Sequence, residues 1–265
     1  MRNDTNAKVI SNIMIIPEHY KMEIYSPNTA VSAQPGQFIH IKIGGTSSPL
    51  LRRPMSIYMR DREKGTISIL YKTIGEGTSL LTQYKQNDNI DIIGPLGNGF
   101  PLDVEQNRIV LVGGGVGITP LMFLALEAVK QGKHVTFIQG APSENKLIGI
   151  QELINAGCNV KITTDDASSG FHGFPTELLE RHLNEKQTDT IYSCGPGAML
   201  KTIKKISLEN NVQAYISLEE RMGCGVGACL GCVCKVLTGD KRILAYKRVC
   251  KDGPVFPAEV VLFDD

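Results

Sequence analysis

From Ala7 to about Phe100 the apolar positions come in short alternating runs: "AKVISNIMII", "YKMEIYS", "GQFIHIKI", "RRPMSIYM", "GTISILYKTI" and "DNIDIIG". Gly, Pro, Asn and Asp break them up. A two-residue period with frequent turn residues predicts a small antiparallel β-barrel or sandwich. From Arg108 to about Ser217 the pattern changes. "RIVLVGG", "HVTFIQGA", "CNVKITTDD", "DTIYSCG" and "QAYISL" are near-continuous apolar runs that read as buried strands. Between them lie helical segments near Thr119 to Gln131, Asn145 to Asn155, Pro175 to Leu183 and Gly197 to Asn210. Strand, helix, strand in alternation predicts a parallel α/β sheet with helices on both faces. From Glu219 onward the remaining residues carry too little apolar material to hold a core unaided, so something other than hydrophobic burial must staple this tail. Three regions are expected: a β-barrel at 1–102, an α/β domain at 103–217 and a small β-rich domain at 218–265, with "PLGNGFPLDVEQN" as the linker between the first two.

Length and charge narrow the classes. A chain of 265 residues exceeds one ordinary core; at about 150 residues per domain it suggests roughly two. With 42% hydrophobic residues, 21% charged and a formal net charge of +1, it has the composition of a soluble globular protein with no basic field for nucleic acid. Its beginning, "MRNDTNAKVISNIMIIP", has no apolar stretch of signal length, and no apolar run approaches the roughly eighteen residues of a membrane span. A cytoplasmic location is the expectation. Seven cysteines, an odd number and mostly clustered, then argue for metal or redox chemistry over a disulfide framework.

"RMGCGVGACLGCVCK" holds four of those cysteines. Cys224, Cys229 and Cys232 are spaced C-x4-C-x2-C, the plant-type arrangement for a 2Fe-2S cluster, in which the fourth thiolate follows after a longer gap. Cys250 can supply it, because "CVCKVLTGDKRILAYKRVC" reads as two strands around a turn at Thr238 to Lys241 that would bring Cys250 back beside Cys232. Gly223, Gly225, Gly227 and Gly231 let the loop wrap a small inorganic core and point N–H groups at sulfur. Cys234 is the competing fourth ligand. On a strand it shares a face with Cys232 and sits too close in sequence to reach the far side of the cage. Zinc also accepts four thiolates, but usually from two C-x2-C-like knuckles, and only one such pair is plain here.

"RIVLVGGGVGITPLMFLALEAV" is a buried strand, a glycine run and an amphipathic helix. Gly113, Gly114, Gly115 and Gly117 would allow close backbone approach, and a helix beginning near Thr119 and Pro120 offers N–H groups and partial positive charge to a pyrophosphate. The spacing is G-x-G-x-G and not G-x-G-x-x-G, so a tight strand-to-helix turn without a ligand explains it too. "YSCGPGAML" places Cys194, Gly195 and Pro196 at the C-terminal end of a later strand, where open α/β sheets bind ligands; Cys194 also fits a buried small apolar residue. Glu144 stands where a site for NADP would prefer arginine, which favours NAD. In the first region "RRPMSI" puts Arg53, Pro54 and Ser56 on a strand, and "LYKTIGEGTSLL" puts Gly75, Gly77 and Thr78 at the start of a short helix. Arginine and helix N-terminus together suit a phosphate-bearing ligand. An exposed arginine and a capped helix account for the same residues.

"RPMS", "LYKTIGEGT", "GPLGNGF", "GGGVGITPL" and "CGPGAM", in that order, resemble the ferredoxin-reductase family, in which a flavin-binding barrel precedes a nicotinamide-binding α/β domain. With "ISLEERMGCGVGACLGCVCK" and "RVCKDGPVF" added, residues 7 to 262 resemble, more narrowly, the electron-transfer subunits of NAD-linked (type B) dihydroorotate dehydrogenases. The resemblance implies FAD held by Arg53, Pro54, Met55 and Ser56, by Leu70, Tyr71 and Lys72, and by Gly77 and Thr78. It implies the 2Fe-2S cluster on Cys224, Cys229, Cys232 and Cys250, NAD(H) as co-substrate, and a heterotetramer with an FMN-containing subunit that oxidises dihydroorotate. A relay of this kind asks the protein for positioning and electrostatics, not for a general acid or base. The five histidines, His19, His40, His134, His172 and His182, agree: they are scattered, show no metal spacing and read as structural or exposed. No G-x-S-x-G elbow or P-loop is present, and Asp165-Asp166 reads as turn chemistry. The alternatives are a reductase subunit serving another system, such as a sulfide dehydrogenase, a transhydrogenase-type ferredoxin reductase or a monooxygenase; a redox sensor without turnover; and a zinc-stapled structural protein.

Overall fold

Six of the alternating runs become strands, and their apolar faces meet because a sheet with one greasy side closes on itself. They are β1 (Arg2–Ile16), β2 (His19–Tyr25), β3 (Phe38–Lys42), β4 (Arg53–Asp61), β5 (Thr66–Lys72) and β6 (Asn89–Leu96). In this computed structural model, which describes residues 2–44, 49–102, 105–239 and 242–263, they form a closed antiparallel barrel in the order β1-β2-β5-β4-β3-β6. β6 shows the period most plainly, with Ile90, Ile92, Gly94 and Leu96 buried and Asp91, Ile93 and Pro95 between them partly exposed. Two short helices attach to the barrel, α1 (Pro27–Ser32) and α2 (Glu76–Leu81). The first was not expected, although Ser26-Pro27 is a standard helix opening.

The second fold is doubly wound. Its strands are β7 (Arg108–Gly114), β8 (His134–Ala141), β9 (Asn159–Thr164), β10 (Phe171–His172), β11 (Thr190–Cys194) and β12 (Gln213–Ser217). The helices are α3 (Ile118–Lys130), α4 (Ile150–Ala156), α5 (Pro175–Glu185) and α6 (Gly197–Glu209). The sheet order is β10-β9-β8-β7-β11-β12, with every one of these pairs parallel. From β7 the chain winds outward through β8 and β9 and then crosses back past β7 to β11. Right-handed crossovers therefore place α3 and α4 on one face and α5 and α6 on the other, and α3 packs with α4 as α5 does with α6. One correction applies to the parallel sheet: β15 (Val255–Pro257), from the tail, pairs antiparallel with β12 and makes the sheet mixed.

The tail also forms a small sheet in the order β14-β13-β16, from β13 (Val233–Thr238), β14 (Ile243–Arg248) and β16 (Val261–Leu262). The turn expected at Thr238 to Lys241 lies partly outside the described residues. The chain divides into two compact units. The first is Met1–Gly99, Glu219–Val233 and Arg248–Pro254; the second is Phe100–Leu218, Cys234–Lys247 and Val255–Asp265. The tail is thus shared: its cysteine loop belongs with the barrel and most of its strand residues with the α/β sheet. Among the described residues, no helix is long and apolar enough to cross a membrane.

The segment leading into the second unit is tied down by two buried side chains, Tyr192 and Lys133. The Tyr192 hydroxyl donates to the Pro101 carbonyl at 2.7 Å and lies 2.9 Å from the Gln106 side-chain amide. The Lys133 ammonium donates to the Gln106 carbonyl at 2.6 Å. Because Tyr192 is fully buried, Tyr192→Phe leaves the Pro101 carbonyl without this donor. It is expected to destabilise the α/β unit by about 1 kcal/mol, read as a lower urea midpoint with an unchanged slope.

Candidate functional site

The cysteine loop has no regular structure, and its shape comes from left-handed backbone at Gly225 (φ +69°), Gly227 (φ +83°) and Leu230 (φ +57°). Alternating with ordinary residues, such positions turn successive N–H groups inward into an anion-binding concavity. Here the concavity holds a sulfur. The N–H groups of Val226, Ala228 and Cys229 all donate to Cys224 Sγ, at 3.4, 3.3 and 3.4 Å. In the turn that follows β14, Val249 N–H donates to the Cys232 carbonyl at 2.8 Å and Cys250 N–H to Cys232 Sγ at 3.4 Å. The side chain of Arg248 clamps this end, donating to Asp252 at 2.9 and 3.1 Å and to the Gly227 carbonyl at 3.1 Å.

The thiols associate two by two, Cys224 with Cys229 and Cys232 with Cys250. Burial raises the Cys224 thiol, but the three N–H donors and the Cys229 thiol outweigh it and bring it down to about 6. Cys250 goes the other way, pushed up to about 12 by burial and by the Cys232 thiol beside it. Among the described residues no three His, Cys, Asp or Glu side chains converge as ligands of one ion. A 2Fe-2S core asks for something else, four thiolates shared between two irons, and paired sulfurs with one held as an N–H-supported thiolate suit that demand. A Cβ on Gly223 would lie 3.3 Å from Cys229 Sγ, and one on Gly231 would lie 3.5 Å away, so both glycines keep the surroundings of that sulfur open. Cys234, on β13, is grouped with the other unit.

The loop lies against β3 at a residue that sequence reading passed over as merely structural or exposed. Ile39 and Ile41 are core residues of the barrel, so His40 between them points outward by strand alternation; yet it too is fully buried. Gly225 explains this, because a Cβ there would sit 2.3 Å from His40 Nδ1. Burial, with Arg52 next in weight and Arg53 also contributing, holds the imidazole below its ordinary range.

The expected flavin residues lie together on the same unit. Arg53 opens β4, and a Cβ on Gly77 would lie 2.7 Å from its Nε, so the guanidinium covers the start of α2. Arg53 Nη1 donates to the Leu51 carbonyl at 2.6 Å. Pro54, Met55 and Ser56 follow on β4, half-buried and paired with His40, Ile39 and Phe38 of β3. On β5, Leu70 and Tyr71 are buried, the Tyr71 hydroxyl donates to Asn12 Oδ1 at 3.0 Å, and Lys72 pairs with Glu18 at 3.7 Å. The Thr78 hydroxyl is committed to the turn: it accepts from Ile74 N–H at 2.9 Å and Gly75 N–H at 3.2 Å and donates to the Gly75 carbonyl at 3.0 Å. A groove of about 790 Å³ lies elsewhere, along Ile10 to Ile13 and Thr82 to Gln86, and contains none of these residues.

In the second unit the glycine turn and "CGP" meet where the winding direction reverses, between the C-terminal ends of β7 and β11, the usual ligand crevice of such sheets. Gly113 is paired in register with Cys194. A Cβ on Gly117 would lie 2.5 Å from the Cys194 carbonyl oxygen, and one on Gly114 would lie 3.2 Å from Pro196 Cδ. These glycines therefore serve the packing of one turn on the other. Gly115, with φ +57° and nothing within 4 Å of its would-be Cβ, is the one that faces open space. Cys194 is 1% exposed, so its thiol faces the core. The helix opens at Ile118 after a short 3-10 turn at Gly115–Gly117, one residue earlier than the sequence suggests.

Known proteins share this arrangement. Residues 6–100 match the family model of an oxidoreductase FAD-binding domain, 111–205 that of an oxidoreductase NAD-binding domain, and 219–262 that of the iron-sulfur cluster binding domain of dihydroorotate dehydrogenase B. The dihydroorotate dehydrogenase B (NAD(+)) electron transfer subunit of Desulforamulus reducens is 41% identical over 98% of this chain and 98% of its own. The chain belongs to that family. The corresponding subunit of Caldanaerobacter subterraneus is 42% identical over 99% of this chain and all of its own. Among solved structures, an NADH-dependent reduced ferredoxin-NADP oxidoreductase superposes with a TM-score of 0.86 at 29% identity, covering 98% of this chain and 91% of that one. The ferredoxin reductase of a carbazole 1,9a-dioxygenase, at 18% identity and a TM-score of 0.67 over 80% of this chain and 67% of its own, shares the fold.

Arg248, Asn98 and His40 carry structure that sequence reading did not assign. The Asn98 side chain donates to the Lys251 and Asp252 carbonyls at 3.3 and 3.1 Å, joining the end of the barrel to the Cys250 turn. "GPLGNGF" was visible as a motif, but its partner lay in the tail. The cysteine geometry has a direct consequence in the iron-free chain. Cys224 loses its thiolate only as the pH falls through about 6, whereas Cys250 keeps its proton up to about 12. Timed iodoacetamide labelling with peptide mass spectrometry is expected to give Cys224 a midpoint near pH 6 and Cys250 little reaction below pH 9. Identical profiles for the two would contradict the N–H cradle.

Proposed function

We propose that this chain is the electron-transfer subunit of a dihydroorotate dehydrogenase B, linking an FMN-containing catalytic partner to NAD(H) through its own 2Fe-2S cluster and FAD. The observation that carries the reading is the pairing of Cys224 with Cys229 and of Cys232 with Cys250, around an N–H cradle, on the same compact unit as the barrel. When bound, the nicotinamide exchanges hydride, the flavin converts between paired and single electrons, and the cluster carries electrons singly.

The side chains have distinct tasks. Cys224, Cys229, Cys232 and Cys250 hold the cluster, while Cys234 stays outside it. Arg53, beside Gly77, presents positive charge to the flavin's pyrophosphate. Pro54, Met55, Ser56, Leu70, Tyr71, Lys72 and Thr78 shape the flavin site, with Tyr71 and Thr78 acting through main chain and packing because their hydroxyls are already engaged. Gly115 leaves room for a dinucleotide at the crevice, and Gly113, Gly114, Gly117, Cys194, Gly195 and Pro196 form its floor. Glu144, near the end of β8, disfavours a 2′-phosphate and so selects NAD. The subunit works in the cytoplasm, in a heterotetramer with two copies of each chain. No residue here contacts dihydroorotate; its oxidation belongs to the partner.

The isolated chain is therefore expected to reduce ferricyanide with NADH and to leave dihydroorotate unoxidised. Cys224→Ser, Cys229→Ser, Cys232→Ser and Cys250→Ser should each remove the visible iron-sulfur absorbance, and Cys234→Ser should retain it. Affinity capture of the tagged chain should bring down an FMN protein. Dihydroorotate oxidation by the chain alone, or a lack of acid-labile sulfide after anaerobic reconstitution, would refute the assignment. Capture of a ferredoxin or a monooxygenase instead would make it a reductase of another system.

A further inference from the structure

His40 is 0% exposed, and neither of its ring nitrogens has a hydrogen-bond partner. Buried polar groups are satisfied in the great majority of cases, so an unpaired imidazole calls for a reason. Its surroundings supply one. On the barrel side it stands opposite Pro54 of β4 and Ile93 of β6, neither of which offers a side-chain acceptor. Arg52, the nearest cation, is committed to Asp91 at 2.7 Å and to the His40 carbonyl at 3.3 Å, and a guanidinium can only donate. On the remaining side lies the cysteine loop. Gly225 rests on the ring at Nδ1 and Cε1, and the main chains of Cys224 and Arg52 are the adjoining polar groups. The imidazole is therefore buried against the main chain of Cys224, the first cysteine of the loop, with neither ring nitrogen in a well-formed hydrogen bond.

We propose that His40 is a positioning residue of the barrel for the iron-sulfur cluster: its ring seats the Cys224–Gly225 turn, and its free N–H donates to a sulfur of the bound cluster and raises the cluster's reduction potential. This rests on the cluster assignment made above. Hydrogen bonds to the sulfurs stabilise the reduced, more negative core, so losing one shifts the couple towards oxidation. The same strand carries the contact to Pro54, within the expected flavin segment, so His40 joins the two redox sites through two neighbouring strands. Gly225 is required for the same reason, since any side chain there would displace the ring.

The test uses the assembled complex and begins with iron and acid-labile sulfide. His40→Phe keeps a planar ring without the donor, and His40→Gln restores an N–H. In an EPR-monitored redox titration, His40→Phe is expected to lower the reduced-to-oxidised ratio at fixed potential roughly tenfold, which is about 59 mV for a one-electron couple. His40→Gln should recover most of it. Independently of any variant, pulsed EPR of the reduced parent protein labelled with 15N-histidine should show coupling to one imidazole, and that coupling should vanish in His40→Gln. If sulfide is present but the parent shows no imidazole coupling, or His40→Phe titrates as the parent does, this inference fails alone. If the parent holds no sulfide, it fails together with the proposed function.

Discussion

A loop whose apolar side chains, Met222, Val226, Ala228 and Leu230, are none of them buried must still be held in one shape, and in this protein that constraint falls on backbone N–H groups and sulfur. Three N–H donors meet at Cys224 Sγ, one more reaches Cys232 Sγ, and a clamped arginine closes the far end. Without an acceptor at the centre those donors would point at nothing. The cluster site and the fold of the loop are therefore one problem with one solution, which is why glycine and left-handed backbone concentrate there. Hydrophobic burial organises the barrel and the α/β sheet, but it could not have organised this.

The same division explains what could be read from sequence. Local period is enough to find a strand, so the six barrel runs and the five main strands of the second unit were visible, as were α3 to α6. What escaped were elements defined by distant partners. β15 has three residues, β16 has two, and neither carries an alternation; they exist because β12 and β13 offer open edges. α1 escaped differently, since Ser26-Pro27 announces a helix start but only one and a half turns follow.

For the sites, spacing along the chain says little about what the neighbouring residues do. The glycine run was read as room for a ligand, yet Gly117 gives room to the Cys194 carbonyl and only Gly115 looks outward. The Thr78 hydroxyl is committed to its own turn, a detail that "IGEGT" does not reveal. His40 belongs to "FIHIK", an ordinary strand in which an outward histidine would normally meet solvent. Nothing local in that run announces Gly225 lying over it.

The sharing of the tail between two units limits how this architecture can be cut or recombined. After leaving β12 the chain serves the barrel, then the other unit, then the barrel again, and returns at Val255 to lay β15 along the rim of the nucleotide sheet. A fragment ending at Leu218 would leave β12 as a bare, apolar margin ready to pair with another molecule. Swapping this tail for that of a relative therefore exchanges more than an electron-carrying appendix: the donor sequence must also bring a border strand that fits the recipient's sheet.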